Sequence, residues 1–339
     1  MTELSDDRTI ADFRTRTFSN YRKASVAKEL VSSIADGRVE EANFFSAELL
    51  ASGHLDDWWD AVICSFGKYI HCANPKAATY LAMRIQTAAV IIKGEAHLSD
   101  NLLWTRNDSR MRALLCEVTT ILALSAKGAT CTQTIVHAKD LHPDVMRAHF
   151  EAPNCEFGKG IVLPDDPREI FIGVNEFAYA IHADSPNSDT AIYWVEWILT
   201  FENVCKKRKE KVICQRRSVD GVPEKFQMDC VWVIWAAMAR EATERHDHVL
   251  TMLLKSTFEL FCFQYCPSTI KAKGGRFLIY YGIKLLTQNT RVDIDSIGDA
   301  KLAVAAMLAG IDDVYKQIAT SQNLTVVSVE NGDDDNSNA

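Results

Sequence analysis

Apolar side chains recur at helical spacing along almost the whole chain, and the polar and special residues between them mark where each helix starts and stops. In the stretch Phe44, Phe45, Glu48, Leu49 the apolar side chains recur at helical spacing, and Gly53 stands where a helix C-cap glycine belongs. Trp58, Trp59, Val62, Ile63, Phe66 and Ile70 form a second stripe that ends near His71. Asn74-Pro75 then reads as an N-cap followed by proline at the first helical position, opening a helix through Tyr80, Leu81, Ile85 and Val90. The same grammar predicts helices over 110–126, from Asp166-Pro167 through His182, and from Pro186-Asn187-Ser188 through AIYWVEWILTFENVCKKRKEK. Further helices are predicted over 225–242, 248–265, 276–287 and 299–321. Strand signals are confined to IVLP at 161–164 and LTVVSV at 324–329. The pattern predicts an all-α protein, a multi-helix bundle or irregular stack of helical pairs.

At 339 residues the chain exceeds the size at which one core stops growing, so two packed halves are expected. Proline and glycine concentrate in APNCEFGKGIVLPDDP, which marks 152–167 as a connecting loop between helical halves at 1–151 and 168–322. Residues 323–339 then form a short extended segment and a disordered acidic tail, NGDDDNSNA.

Composition narrows the function without naming it. Hydrophobic residues at 47% and charged residues at 24% describe an ordinary globular chain. A net charge of −8 gives no overall attraction to nucleic acid or anionic lipid, so such binding requires a local patch. No secretory h-region and no apolar run of membrane-spanning length occurs, which predicts a soluble intracellular protein. The ten cysteines are scattered through apolar runs without a Cys-x-x-Cys pair, the pattern of reduced core thiols. Cys262 and Cys266, four apart, would share one helical face. Neither a metal nor a cofactor is expected.

Phosphate-loop, dinucleotide, zinc-protease and nucleophile-elbow motifs do not occur. His246-Asp247-His248 would need to lie in a turn to bind one metal, and reads instead as the turn between two helices with Asp247 as N-cap. His54 and His71 stand at helix ends, where imidazoles can bond unpaired backbone groups, while His137, His142 and His149 read as surface or capping residues. Trp194 and Trp197, like Trp232 and Trp235, are three apart and share a face, each ring able to bury about 200 Å² of core or partner interface.

The exception is a basic run. Lys206, Lys207, Arg208, Lys209, Lys211, Arg216 and Arg217, against the single acid Glu210, give +6 across twelve positions. A helix C-terminus attracts two or three cations, not seven. Three readings stay open: a phosphate or nucleic-acid contact, a nuclear address, or docking to an acidic protein surface. Lys271, Lys273 and Arg276 would join the run if the fold brings them together.

ANFFSAELLASGHLDDWWDAVICSFGKYIHCANPKAATYL, with the later AIYWVEWILTFENVCKKRKEKVICQRR, VWVIWAAMAREATER and RFLIYYGIKLLT, resembles helical proteins of unassigned function encoded by large nucleocytoplasmic DNA viruses of protists and algae. The resemblance spans roughly residues 40 to 290. It implies a viral protein in the host cytoplasm or virion, or in the nucleus, with other viral proteins as partners. The expected function is a non-enzymatic structural or interaction protein, a minor capsid or virion-assembly component. The alternative is a nucleic-acid-binding accessory factor for replication or transcription that uses the basic run.

Overall fold

The computed structural model describes the chain except at residues 1–2, 6, 96–101, 211, 269, 271–273, 293–299 and 331–339, and gives the backbone alone for 321–330. Among the described residues the fold is all-α, and its only β features are isolated bridges, Arg16 with Arg22 and Lys159 with Val162. The chain forms two compact units, one of residues 1–127 with 293–339, the other of residues 128–292.

In the first unit α1 (Lys23–Asp36), α2 (Val39–Ala51), α3 (Leu55–Ser65), α4 (Ala77–Gly94) and α5 (Ser109–Leu124) follow one another with short connections. α1 stops at Gly37, whose φ of 72° a side-chain-bearing residue adopts only with strain. α5 starts where the Asp108 carboxylate accepts bonds from the Arg110 and Met111 backbone N–H groups at 2.8 and 3.0 Å. The stripe headed by Trp58 and Trp59 is fully buried, the two rings meeting edge to face at 4.6 Å. Asn74 is not the N-cap that its sequence suggests. α4 begins at Ala77, and the Asn74 side chain is turned to Ser125, whose hydroxyl accepts from Asn74 Nδ2 at 3.0 Å, while Oδ1, the atom a cap would use, bonds no backbone N–H. His54 precedes α3 without a side-chain cap bond, whereas His71 Nδ1 does accept from a backbone group, the Cys72 N–H, at 2.8 Å.

In the second unit α6 (Pro143–Arg147) is a short turn, and α7 (Phe171–Ile181), α8 (Ser188–Lys207), α9 (Val231–Glu244), α10 (His248–Cys262) and α11 (Gly275–Thr287) build the core. Asn187 caps α8 through Oδ1, and Asp247 caps α10, as their sequence positions predict. Trp194, Trp197, Trp232 and Trp235 are all core residues. Trp232 and Trp235 flank Phe261 at 5.8 and 5.2 Å. α10 ends at Cys262 and the chain turns through Gln264 at positive φ, so Cys266 does not share a helical face with Cys262.

The loop at 152–167 is not a division between halves. The Glu176 carboxylate on α7 accepts from the Glu151 and Ala152 N–H groups at 2.8 and 2.9 Å, and Asn175 accepts from Gly158 at 2.9 Å, so the loop is fastened inside the second unit. Its proline and glycine reflect an irregular path, and IVLP within it forms one isolated bridge rather than a strand. The chain changes unit at 127–128 instead, and α12 (Lys301–Glu330) belongs to the first unit, packing on α5 and α2. Residues 323–330, expected to be extended, continue α12, since adding a residue to an existing helix fixes only one residue per hydrogen bond gained. The acidic tail lies outside the described residues.

Close approach of α7 to α8 depends on Gly173, where a Cβ would stand 2.9 Å from the Trp197 ring. Gly173→Ala is expected to lower stability by about 1–3 kcal/mol through overpacking. Urea unfolding measures this, and parent-like stability would show that Trp197 can yield.

Candidate functional site

The basic run begins in the last turn of α8, a helix that also carries two buried acids, Glu196 and Glu202. Those acids decide where several cations go. Lys206 Nζ lies 3.0 Å from Glu202 and 3.8 Å from Asp229, just before α9. Arg276, at the start of α11, donates from Nε to Glu196 Oε1 at 2.6 Å, and the Tyr280 hydroxyl donates to the same oxygen at 2.7 Å. Lys206 and Arg276 line one cavity of about 320 Å³ together with Glu202, Asp229 and Tyr265. One described cation of each basic cluster, Lys206 and Arg276, therefore meets at this cavity, and each is paired there with an acid.

Arg217 is committed as well. Its guanidinium holds Asp166 through two bonds, at 3.0 and 2.6 Å, and donates to the Ile161 carbonyl at 2.9 Å. Arg216 bonds Gln227 and Glu224, each at 2.8 Å. Lys207, Arg208 and Lys209 are exposed, and no ion pair among the described residues involves them. Lys209, at a φ of 61°, turns the chain out of the helix. Lys211, Lys271 and Lys273 lie outside the described residues.

Electrostatics follow burial. Desolvation pushes the Glu196 carboxyl up against the opposing pull of Arg276 and Tyr280. Burial, then the Glu202 charge, raises Asp229. At Asp166 burial pushes upward too, but the Arg217 bonds and the Leu163 and Gln215 N–H groups together outweigh it and hold the carboxyl low. Asp166 is thus a structural anion, whereas Glu196 and Asp229 are carboxylates under strain that depend on their cations.

Two further recesses flank this network. A cavity of about 570 Å³ opens between α9 and α10, lined by Trp232, Trp235, Ala236, Ala239, Leu254 and Phe258 among others. Another, of about 890 Å³, lies beside the end of α8, where Arg208, Lys139 and His142 surround Phe201, whose ring lies parallel to that of Trp197 at 5.7 Å. Among the described residues no group of three or more His, Cys, Asp or Glu is arranged to hold a metal ion. His246, Asp247 and His248 occupy the turn between α9 and α10.

Sequence reasoning singled out the cations and passed over Glu196, Glu202, Asp229 and Asp166. A signal existed for the first: an acid inside the apolar run AIYWVEWIL must be buried and must have a partner. No family model matches this chain, and neither a curated protein nor a solved structure does. No described helix is long and apolar enough to cross a membrane.

Removing Arg276 leaves Glu196 buried with the Tyr280 hydroxyl but without a counter-ion. Arg276→Met is expected to cost about 3–5 kcal/mol near neutral pH. Glu196 already binds its proton more tightly folded than unfolded, and losing Arg276 raises its folded pKa further. The stability tied to that proton is present at low pH and lost as pH rises through the folded value. The deficit should therefore shrink on acidification from about pH 7 to about pH 5, as read by urea unfolding; a deficit independent of pH would exclude Glu196 as the partner that matters.

Proposed function

We propose that this chain is a non-enzymatic structural or interaction protein of a large DNA virus, a minor capsid or virion-assembly component that docks an amphipathic helix of another viral protein. The observation that carries the reading is the recess between α9 and α10. Its small lining residues, the half-buried Ala236 and exposed Ala239, admit close approach of a helix, and the half-buried Phe258, with Trp235 and Leu254 behind it, gives the recess an apolar lining. Lys255, exposed on the rim, complements an acidic flank on that helix. Arg217, also on the lining, is already neutralised by Asp166 and adds no polar demand. The resemblance to viral helical proteins supplies the setting.

The viral partner and the groove are tested together. Quantitative mass spectrometry of purified particles is expected to find the chain at fixed stoichiometry. Ala239→Glu, placed at an exposed position, should abolish incorporation while circular dichroism stays unchanged. Particles and assembly intermediates free of the chain would overturn the proposal.

A second reading, a nucleic-acid-binding accessory factor, is favoured by Lys207, Arg208 and Lys209, which stand exposed and without ion pairs among the described residues, next to the half-buried Phe201 ring. Under this reading a fluorescent single-stranded oligonucleotide binds with an affinity that falls steeply with salt. Replacing Lys207, Arg208 and Lys209 with Gln should weaken binding and flatten the log–log salt slope by roughly 2. No binding at low salt would remove it.

A further inference from the structure

We propose that Cys214 and Cys230 are an oxidative modification site, a thiol pair that closes to a disulfide on exposure to a peroxide. The two sulfurs lie 3.6 Å apart, both residues fully buried and both free thiols. A disulfide needs a separation of about 2.05 Å, so the sulfurs must approach by about 1.5 Å. The backbone holds the two segments together. Cys214 N–H donates to the Met228 carbonyl at 3.0 Å and Arg217 N–H to the Gln227 carbonyl at 3.0 Å, so the two ends of the intervening loop run side by side. The Gln227 amide fastens the middle of that loop to the Val219 and Val222 carbonyls, each at 2.9 Å. A thiol–thiol contact is a weak interaction in itself, and little is lost when it is exchanged for a bond.

The chemistry balances with hydrogen peroxide as the oxidant. One thiolate attacks a peroxide oxygen, the O–O bond breaks, and a sulfenic acid forms with release of one water. The second thiolate attacks that sulfur, the S–O bond breaks, and the disulfide forms with release of a second water. Two thiols are oxidised by two electrons and the peroxide is reduced. The neighbouring Cys214 thiol and burial push the Cys230 thiol up, so little Cys230 thiolate is present near neutral pH and closure is slow there and faster at higher pH. The bond would fix the loop that carries Arg217 and Val219, both of which line the recess between α9 and α10, so oxidation would set one wall of that recess.

The test uses the full chain as isolated under reducing conditions. After peroxide treatment, alkylation and tryptic digestion without reductant, residues 212–216 and 226–240 are expected as one linked peptide, short of two hydrogens, in the folded protein. The thermal midpoint of the oxidised protein should lie above that of the reduced protein, a difference that Cys214→Ser removes. Linkage of either residue to another cysteine, linkage only after unfolding, or alkylation of both Cys214 and Cys230 while the exposed Cys155 is oxidised would overturn the proposal. Because peptide mapping of the parent chain needs no variant, the result stands even if Cys214→Ser folds poorly.

Discussion

Glu196 sits on α8 between Val195 and Trp197, inside a helix face that the second unit must bury, and a carboxylate there is tolerable only with a cation at bonding distance. Arg276 supplies it from α11, and Tyr280, four residues further along the same helix, supplies a second donor to the same oxygen. One acid thus selects which helix lies against α8 and in what register, since a shift of one residue along α11 would turn both donors away. The network continues along α8 through Glu202 and Lys206 to Asp229 and Tyr265, whose hydroxyl donates to Asp229 at 3.1 Å, and so draws in the start of α9 and the end of α10. Apolar contacts between tryptophans fill the space; the charges decide which helices fill it.

The first unit obeys the same constraint with the sign reversed. Arg112 is buried on α5, and α12 answers it with the Tyr315 ring 3.7 Å from the guanidinium carbon and with Asp312 at 3.7 Å. Desolvation lowers the Arg112 pKa, with the Tyr315 and Asp312 charges acting against that. A cation over an aromatic face gains more once water is excluded, so the contact is strongest in the buried position that it occupies. The helix from the far end of the sequence thus adds a ring and a carboxylate to the bonds that Arg112 makes nearer by, to the Arg106 carbonyl at 2.5 Å and to Asn107 Oδ1 at 3.0 Å.

Local order was legible in the residues, because caps and periodicity act within a few positions. Asn187, Asp247 and Gly53 end or begin helices by bonds to neighbours in sequence, and the tryptophan pairs, which spacing placed in core or partner interface, fall in the core. Asn74-Pro75 shows the limit of such reasoning. The dipeptide has the form of a cap, yet the Asn74 side chain lies against Ser125, fifty-one residues away, donating to its hydroxyl through Nδ2, and its Oδ1 caps nothing. The loop at 152–167 misleads for the same reason, since proline and glycine announce an irregular path but not whether distant Glu176, Asn175 and Arg217 tie it down. The candidate site was legible in half: a run of cations can be counted, but which of them are consumed depends on acids that only folding brings near.

That consumption changes what the run can do. A net of +6 over twelve positions would suit a polyanion, but Lys206, Arg216 and Arg217 are paired with Glu202, Glu224 and Asp166, which leaves Lys207, Arg208 and Lys209 as the described cations of the run that are free of ion pairs. Counterion release scales with the number of phosphates neutralised, so three cations on single-stranded nucleic acid support a salt slope of only about −2, where seven would support about −5. In a chain of net charge −8, that weaker attraction has to be supplemented by stacking or by apolar contact. The paired arginines still matter to recognition, through position rather than charge. With Asp166 satisfied, Arg217 can form part of the apolar recess beside α9 without leaving a bare cation there, and an ion pair that removes a charge from a surface is what makes that surface fit for an apolar partner.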